Sequence, residues 1–248
     1  MIEIDDRYTD PATFSQAMAS DKRDAWIKAM QNEIQSNIDK KVWTLTELPA
    51  GHRALTSKWV YRTKDLPDGT QVEKARIVAR GFEQVQGVDF HEIFAPTIRS
   101  KSLRTLLAIG AAMDLEIHQL DVKTAFLNGT LQEEVYMHQP KGFEHPDFPH
   151  LVCKLHKTLY GLRQAPREWF NELTGTFAAM GLSPNPYDSA VYMGDVDGVR
   201  VFVGVYVDDM PILASDIATV EKVKKLIADK YEIKDLGEIK YILGICIT

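Results

Sequence analysis

The pattern of apolar and polar positions predicts four helices. Apolar residues recur at helical spacing in DAWIKAMQNEIQSNIDK, SKSLRTLLAIGAAMDL, QAPREWFNELTGTFAAMGL and ATVEKVKKLIADKY. In the first segment Trp26, Met30, Ile34 and Ile38 lie four residues apart, which predicts one buried helix face. Pro166 marks the start of the third helix, because proline is favoured in a first helical turn.

Strand patterns lie between these helices. The segment SKWVYRTKDLPDGTQVEKARIVA alternates apolar and basic residues on both sides of a Pro-Asp-Gly turn, which predicts a β-hairpin with one basic face. Apolar runs in EIHQLDV, LVCKLHK, VRVFVGVYVDDMPILA and GEIKYILGICIT predict further strands. Helices that flank antiparallel strands favour an α+β fold.

Length and composition indicate a folded globular protein, because 45% of the 248 residues are hydrophobic and 26% are charged. One domain with subdomains is predicted, since no Pro/Gly/Ser-rich linker divides the chain. Without a long apolar run or a signal-peptide core, we expect an intracellular protein with no membrane partner. Cys153 and Cys246 are too few for a disulfide framework, and we expect both to be small buried residues.

Charge is distributed unevenly along the chain. The net charge of −6 argues against a protein that coats nucleic acid, yet residues 51–104 contain 10 Lys and Arg against 6 Asp and Glu. The basic residues of the predicted hairpin form either a solvated face or a surface for phosphates, and the sequence leaves both interpretations open. They are Lys58, Arg62, Lys74, Arg76 and Arg80.

Carboxylates provide the main candidate chemistry, because the chain has no G-x-S-x-G elbow, no Walker loop and no G-x-G-x-x-G, and no histidines at metal-ligand spacing. Asp208 and Asp209 stand side by side between two apolar runs, where like charges resist burial unless a cation neutralises them. An ordinary Asp-rich turn is the alternative. Asp121 ends another apolar strand, and if that strand neighbours the hairpin, the three carboxylates converge. Such a group suits two Mg²⁺ ions in the arrangement of polymerases.

Seven sequence motifs occur along nearly the whole chain in a specific order. They are KWVYRTK, KARIVARGFEQVQGVDFHEIFAPT, HQLDVKTAFLNG, EEVYMHQPKGF, CKLHKTLYGLRQAPREWF, YVDDM and IKDLGEIKYILGI. With them the chain resembles the reverse transcriptase domain of copia-type LTR retrotransposons. The resemblance implies an RNA-directed DNA polymerase with a right-hand polymerase fold. It implies an N-terminal brace over about 1–39, fingers over about 40–97 and 131–164, and a palm over about 98–130 and 165–248. Fingers and palm alone are expected, with the thumb and the ribonuclease H domain absent.

The same resemblance implies the site residues. Asp121, Asp208 and Asp209 are implied to be catalytic and, with the backbone of Val122, to bind two Mg²⁺ ions, for which Mn²⁺ can substitute. Phe126 is implied to be an aromatic gate against a ribose 2′-hydroxyl, and a core phenylalanine is the alternative. The remaining dNTP-binding candidates are Lys74, Arg76, Arg80, Tyr160, Gly161 and Gln164. The primer grip is implied to include Leu243, Gly244 and Ile245.

The implied partners are an RNA or DNA template with its primer, dNTPs, and the integrase and ribonuclease H portions of a polyprotein. The implied location is a cytoplasmic virus-like particle, with the nucleus as a second location. Pro211 departs from the family pattern, which has a large aliphatic residue there, and a proline in a central strand predicts damaged catalytic geometry. The alternative function is a non-catalytic remnant, or an assembly or nucleic-acid-binding subunit that keeps the fold.

Overall fold

The computed structural model describes residues 10–65 and 69–247. The described α-helices are α1 (Phe14–Ala19), α2 (Arg23–Asp39), α3 (Ser100–Ala112), α4 (Ala165–Ala179) and α5 (Ile217–Ala228). The described strands are β1 (Trp43–Thr46), β2 (Ala54–Leu55), β3 (Ser57–Asp65), β4 (Gln71–Ala79), β5 (Glu116–Val122), β6 (Thr130–His138), β7 (Val152–Lys157), β8 (Leu182–Asn185), β9 (Asp188–Val196), β10 (Val199–Gly204), β11 (Asp209–Ala214), β12 (Ile233–Glu238), β13 (Tyr241–Ile242) and β14 (Ile245–Cys246). The four predicted helices are therefore confirmed, and α1 is an addition that the sequence pattern did not indicate.

The chain divides into two compact units. Unit 1 comprises the described residues up to His91 together with Thr130–Ala165, and unit 2 comprises Glu92–Gly129 and the described residues from Pro166 onward. Three of these limits lie within six residues of limits predicted from the sequence, and the predicted limit at about residue 39 has no counterpart among them. The assignment of the two segments as fingers and palm stays a prediction.

Unit 1 contains a four-stranded sheet in the order β1-β7-β6-β2 and a separate hairpin of β3 and β4. The hairpin buries Trp59, Tyr61 and Ile77 on one face, while Arg62 and Lys74 are cross-strand neighbours on its exposed face. The prediction of a hairpin with one basic face is confirmed. Its Pro-Asp-Gly turn falls partly on residues 66–68, which lie outside the described residues.

Helix α2 packs against the hairpin with a face that matches the predicted one only in part. Trp26 and Met30 are buried as predicted, but Ile38 is 56% exposed and its place on the buried face is taken by Asn37. A spacing of four residues advances the helix by about 40° per step, so a strict four-residue stripe drifts off the contact face within three steps. The prediction that Ile38 is buried is therefore wrong, because the four-residue stripe rotates away from the contact face.

Unit 2 contains a six-stranded antiparallel sheet in the order β12-β5-β11-β10-β9-β8. One core cluster joins the sheet to α4 and α5 through residues such as Trp169 and Val223, and a second joins it to α3 through Leu103 and Leu213. Because successive side chains of a strand point to opposite faces, both faces of the sheet are covered by helices. This arrangement confirms the α+β prediction.

The two cysteines have different surroundings. Cys153 is buried in β7, and burial raises the pKa of its thiol to about 12, so it behaves as a small apolar residue. Cys246 is exposed, which makes the expectation of burial wrong for this residue. Within the described part of the chain, no helix combines the length and apolar character needed to cross a membrane.

Candidate active site

The adjacent aspartates lie at a tight turn between β10 and β11. Tyr206 and Asp209 exchange two backbone hydrogen bonds, of 2.9 and 3.0 Å, and so close a turn with Val207 and Asp208 at its centre. Val207 has a φ of +59°. This left-handed conformation is unfavourable for a β-branched residue, so the turn needs support from its surroundings.

Two hydrogen bonds supply that support, one to each central carbonyl of the turn. The indole N–H of Trp169 on α4 donates to the carbonyl oxygen of Val207 at 2.7 Å. The backbone N–H of Val122 on β5 donates to the carbonyl oxygen of Asp208 at 2.9 Å. The turn that carries the two aspartates is therefore held from α4 and from β5.

The third aspartate lies directly opposite the pair. Strands β11 and β5 are neighbours, and their register pairs Asp209 with Asp121. On the other side of β5, Lys234 of β12 is paired with Asp121, so two carboxylates and one ammonium form a row across three strands. The condition under which the three carboxylates converge, that the Asp121 strand neighbours the hairpin, is thus met.

The carboxyl of Asp209 sits in an unfavourable electrostatic setting. Partial burial raises its pKa above the ordinary range, and the charge of Asp121 adds to that rise. A hydrogen bond from the Gln119 side-chain amide to Asp209 Oδ1, at 2.8 Å, opposes it. A bound cation would relieve the same repulsion.

The donor atoms of this site suit a hard divalent cation. Asp121, Asp208 and Asp209 are all partly exposed and offer carboxylate oxygens, the ligand type that Mg²⁺ prefers. Among residues 10–65 and 69–247, no group of three or more His, Cys, Asp or Glu side chains is arranged to hold a metal ion. The predicted site for two Mg²⁺ ions, including the backbone of Val122, therefore stays a prediction.

Pro211 lies in an interior strand of the sheet, as predicted from the sequence. Asp209 exchanges its backbone hydrogen bonds with Tyr206, two residues after the end of β10. Antiparallel ladders repeat every second residue, so position 211 faces Gly204 at the next hydrogen-bonding position. A proline nitrogen cannot donate there. A Cβ atom on Gly204 would lie 3.1 Å from the proline ring and 2.8 Å from Ile98, so the missing side chain of Gly204 makes room for the ring.

Phe126 lies beside the turn of the two aspartates. It belongs to the 3₁₀ turn Ala125–Asn128 that follows β5, and its partly buried ring packs against the core cluster that includes Trp169. It also lines a small apolar cavity with Val207 and Phe170. This position is compatible with both interpretations of Phe126, and its role as a sugar gate stays a prediction.

In unit 1, Arg76 and Lys74 are exposed on the outer face of β4. The Arg76 guanidinium lies over the ring of Tyr160, 5.1 Å from its centroid. The carbonyl oxygen of Tyr160 accepts a 2.8 Å hydrogen bond from the backbone N–H of Ala79 at the end of the same strand. Three of the predicted dNTP-binding residues are thus part of one local arrangement, whereas Arg80 lies beyond the strand end and lines a separate cavity.

Only glycine fits at position 161, because the backbone of neighbouring residues leaves no room for a side chain. Its φ is +90°, and a Cβ atom there would lie 2.1 Å from the carbonyl oxygen of Ala79. Gly81 makes the reciprocal approach, because a Cβ atom on it would lie 2.0 Å from the carbonyl oxygen of Gly161. The small size of Gly161, a predicted dNTP-binding residue, is therefore used within unit 1, between its loop and the end of β4.

Gln164 is fully buried, not exposed as a direct nucleotide contact requires. Its side-chain amide donates to the carbonyl oxygen of Asp89 at 2.8 Å, and its amide oxygen accepts from Gln84 at 2.9 Å. In this geometry Gln164 holds two segments of unit 1 together. A direct contact between its side chain and dNTP would require these hydrogen bonds to open.

The predicted primer-grip residues form a hairpin turn. Tyr241 pairs with Cys246 and Ile242 with Ile245, which leaves Leu243 and Gly244 as a two-residue turn. Both have positive φ, of 47° and 81°. Two positive φ values are typical of a type I′ turn, whose twist matches that of the flanking strands. The strand pair is confirmed, and its contact with a primer stays a prediction.

Two residues that shape the site were missed by the sequence analysis. Gln119 lies two positions before Asp121 on the same strand, so the strand period already placed both side chains on one face. That signal could have been used. Trp169 gave no such signal, because its indole reaches Val207 from a helix 38 residues away in the chain.

Comparisons with known proteins show similarity along most of the chain. Residues 40–248 match the family described as reverse transcriptase (RNA-dependent DNA polymerase). The chain is 41% identical, over 98% of its length, to the retrovirus-related Pol polyprotein from transposon TNT 1-94 of Nicotiana tabacum, and spans 18% of that protein. It is 37% identical, over 96% of its length, to the corresponding polyprotein from transposon RE1 of Arabidopsis thaliana, and spans 16% of it.

A solved structure of a foamy viral protease-reverse transcriptase in complex with double-stranded DNA matches 88% of this chain and 33% of that chain, with a TM-score of 0.44 and 12% identity. The family match covers most of the chain, and the two plant polyproteins match it almost from end to end. On these grounds the chain belongs to the reverse transcriptase (RNA-dependent DNA polymerase) family.

Proposed function

We propose that this chain is the RNA-directed DNA polymerase core of a retrotransposon polyprotein. In the proposed reaction the 3′-hydroxyl of a primer attacks the α-phosphate of a dNTP and pyrophosphate leaves. The observation that carries the proposal is the register of β11 and β5, which sets Asp209 opposite Asp121 and next to the turn that contains Asp208. Family membership supplies the reaction class.

The carboxylates of Asp121, Asp208 and Asp209, with the backbone carbonyl of Val122, would hold Mg²⁺ or, as a substitute, Mn²⁺. When bound, two such ions neutralise the charge of the phosphates and stabilise the attacking and leaving oxygens. The fit rests on the donor set, since hard oxygen ligands and an unfavourable Asp121–Asp209 pair both favour a divalent cation. Gln119 orients Asp209 by occupying Oδ1 and leaving the other oxygen available.

The remaining candidates are assigned to substrate. Phe126 is proposed to stand against the sugar of the nucleotide, where a bulky ring excludes a 2′-hydroxyl. In unit 1, Arg76, Lys74 and Arg80 are proposed to neutralise the triphosphate, with Tyr160 beside Arg76. Gly161 and Gln164 are proposed to position this loop, in keeping with their internal contacts. Leu243, Gly244 and Ile245 are proposed to contact the primer.

The proposed partners are an RNA or DNA template with its primer and the other portions of the polyprotein, integrase and ribonuclease H. A cytoplasmic virus-like particle, with the nucleus as a second location, is the proposed setting. The alternative, a non-catalytic remnant, is not favoured. The chain has all three aspartates. The missing side chain of Gly204 leaves room for the ring of Pro211, the residue that predicted damaged catalytic geometry.

Primer extension on poly(rA)/oligo(dT) with Mg²⁺ or Mn²⁺ tests this function. We expect Asp208→Asn and Asp121→Asn to reduce extension below a tenth of the parent rate, because each removes a charged oxygen ligand. Asp114→Asn is the matched control. Asp114 lies in the same unit with a φ of +51°, a conformation that asparagine tolerates, so this variant should extend normally.

Two outcomes would contradict the proposal. The first is extension by either aspartate variant at more than a tenth of the parent rate, which would remove that aspartate from the catalytic role. The second is absence of extension both by this chain and by a chimera that continues it with the downstream segment of the tobacco relative. Circular dichroism of each variant separates loss of activity from loss of fold.

A further inference from the structure

Phe126 lies in the middle of a short turn whose neighbouring residues are fixed in the core. Ala125 and Leu127 on either side of it are buried, whereas Phe126 itself is partly exposed. The turn Ala125–Asn128 comes directly after β5, the strand of Asp121, so the backbone of the turn decides where the Phe126 ring lies. Residues that hold this backbone therefore act on the ring.

The ring of Phe126 is packed on one side and borders a cavity on another. It contacts the core cluster of unit 2, and it also lines a cavity of about 40 Å³ together with Val207 and Phe170. A side chain that borders a void lacks the contacts that close packing supplies elsewhere. The position of the backbone therefore matters more for this ring than for one that is enclosed on all sides.

Asn128 restrains that backbone from the end of the turn. Its side-chain amide donates to the carbonyl oxygens of Thr124, at 3.3 Å, and of Ala125, at 3.2 Å. The backbone N–H of Leu127 donates to the same Thr124 carbonyl at 2.9 Å. Both carbonyls precede Phe126 in the chain and Asn128 follows it, so the amide closes the turn around Phe126.

The turn begins at a strained residue. Thr124 has a φ of +49°, a left-handed conformation that is unfavourable for a β-branched side chain. Its hydroxyl is buried and has no hydrogen-bond partner among the described residues. Such a conformation persists only where the surroundings impose it. The amide of Asn128, which binds the carbonyls of Thr124 and Ala125, therefore holds the turn against this strain.

We propose that Asn128 is a positioning residue for sugar selection, which holds the turn over 124–128 so that Phe126 projects toward the sugar of the nucleotide. This inference rests on the proposed function, in which the ring of Phe126 excludes a ribose. A steric barrier depends on position, so a ring on a backbone that can move excludes a 2′-hydroxyl less sharply. Asn128 acts through Phe126 and needs no contact with the nucleotide.

Primer extension with rATP and dATP on a matched template tests the proposal. Asn128→Asp keeps the size of the side chain but removes both N–H donors. We expect the ratio of kcat/KM for rATP to that for dATP to rise about tenfold, less than in Phe126→Ala, because a displaced ring still blocks part of the space. Asn128→Ser should bring the ratio back to within about threefold of the parent, since a serine hydroxyl can donate to the carbonyl four residues earlier.

A second variant separates the strain from the hydrogen bonds. Glycine adopts the left-handed conformation readily, so Thr124→Gly removes the strain against which Asn128 works. In the double variant Thr124→Gly, Asn128→Asp the ratio should rise less than in Asn128→Asp alone. Hydrogen exchange of the Leu127 amide reports closure of the turn without catalysis, and it should accelerate in Asn128→Asp.

Asp216→Ala is the control for loss of stability. Asp216 caps α5 in the same unit by accepting a 2.8 Å hydrogen bond from the backbone N–H of Thr219, so its removal should lower the melting temperature. The ratio for rATP and dATP should stay at the parent value in this variant. A change of the ratio is therefore a readout that loss of stability alone does not move.

Three results would overturn the proposal. They are a parental ratio in Asn128→Asp, an equal rise of the ratio in Asp216→Ala, and unchanged exchange of the Leu127 amide in Asn128→Asp. If Phe126→Ala raises the ratio and Asn128→Asp does not, only the role of Asn128 fails and the proposed function stands. Absence of extension by both the parent and the chimera would instead contradict the proposed function, and the assignment to sugar selection would fall with it.

Discussion

The indole N–H of Trp169 donates to the carbonyl oxygen of Val207, and Val207 immediately precedes the two adjacent aspartates. The hydrogen bond measures 2.7 Å and meets a residue whose φ is +59°. A buried tryptophan thereby fixes a turn that the valine side chain disfavours. The hydrogen bond of Trp169 is to the backbone of Val207, so we regard Trp169 as a positioning residue.

Trp169→Phe should therefore lower kcat for primer extension about tenfold with little change in the KM for dNTP, because misplacement of the aspartates by a fraction of an ångström is costly. The loss of one hydrogen bond, about 1 kcal/mol, should also lower the melting temperature by about 2–4 °C.

Trp26→Phe is the control for this variant, since Trp26 is equally buried but lies on α2 in unit 1. It should lower the melting temperature without changing kcat. If both variants lose stability and neither loses kcat, Trp169 is an ordinary core residue.

Phe126→Ala should raise the incorporation of rNTPs relative to dNTPs. Removing the ring opens space beside the sugar, and a ribose 2′-hydroxyl then meets no steric barrier. The ratio of kcat/KM for rATP and dATP on a matched template measures the effect. Phe170 lines the same cavity, and Phe170→Ala serves as the control because no sugar contact is proposed for Phe170. An unchanged ratio in Phe126→Ala would assign that residue to the core.

Pro211→Leu should raise the melting temperature by about 2–4 °C and increase the rate of extension. The new backbone N–H can donate to Gly204, which adds about 1 kcal/mol to the free energy of unfolding. Pro184→Leu in the edge strand β8 is the comparison, where we expect no gain because edge strands tolerate proline. Identical melting temperatures and rates for Pro211→Leu and the parent would show that the proline is harmless.

Glu33→Gln should stabilise the chain at pH 8 and have little effect at pH 4. Glu33 is buried, and burial raises the pKa of its carboxyl despite a backbone hydrogen bond from Ile77. A carboxyl with a raised native pKa makes its full contribution to the free energy of unfolding below its unfolded pKa of about 4.3. That contribution is lost as the pH rises through the native pKa.

Glutamine keeps the acceptor for Ile77 but carries no charge, so the difference in melting temperature between Glu33→Gln and the parent should grow with pH above about 4.3. Glu47→Gln, at an exposed site in the same unit, should show no such trend. A stability difference that stays constant between pH 4 and pH 8 would contradict the assignment.

Local patterns were sufficient for the helices α2 to α5 and for the strand that ends in Asp121, but not for α1 or for the surroundings of Asp209. The run EIHQLDV predicts a strand that ends in Asp121, and the register that sets Asp121 opposite Asp209 follows once β5 and β11 pair. The bond from Trp169 to Val207 depends on how α4 crosses the sheet, which no local period encodes.

Predicted contacts to a nucleotide were the hardest to judge from sequence. Gly161 and Gln164 share a motif with Tyr160, yet the first meets the backbone of Ala79 and the second is wholly buried. A motif marks residues that a family needs, and it does not separate those that touch a substrate from those that hold the loop.

The interlocking of Gly81 and Gly161 limits how this part of the protein can vary. At each position the atom that would obstruct a side chain is a main-chain carbonyl oxygen. A compensating substitution elsewhere cannot shorten a peptide group, so no second mutation can rescue an alanine at Gly161 unless the loop separates from β4. The two positions should accept glycine alone in a saturation library, and they should do so independently of the rest of the sequence.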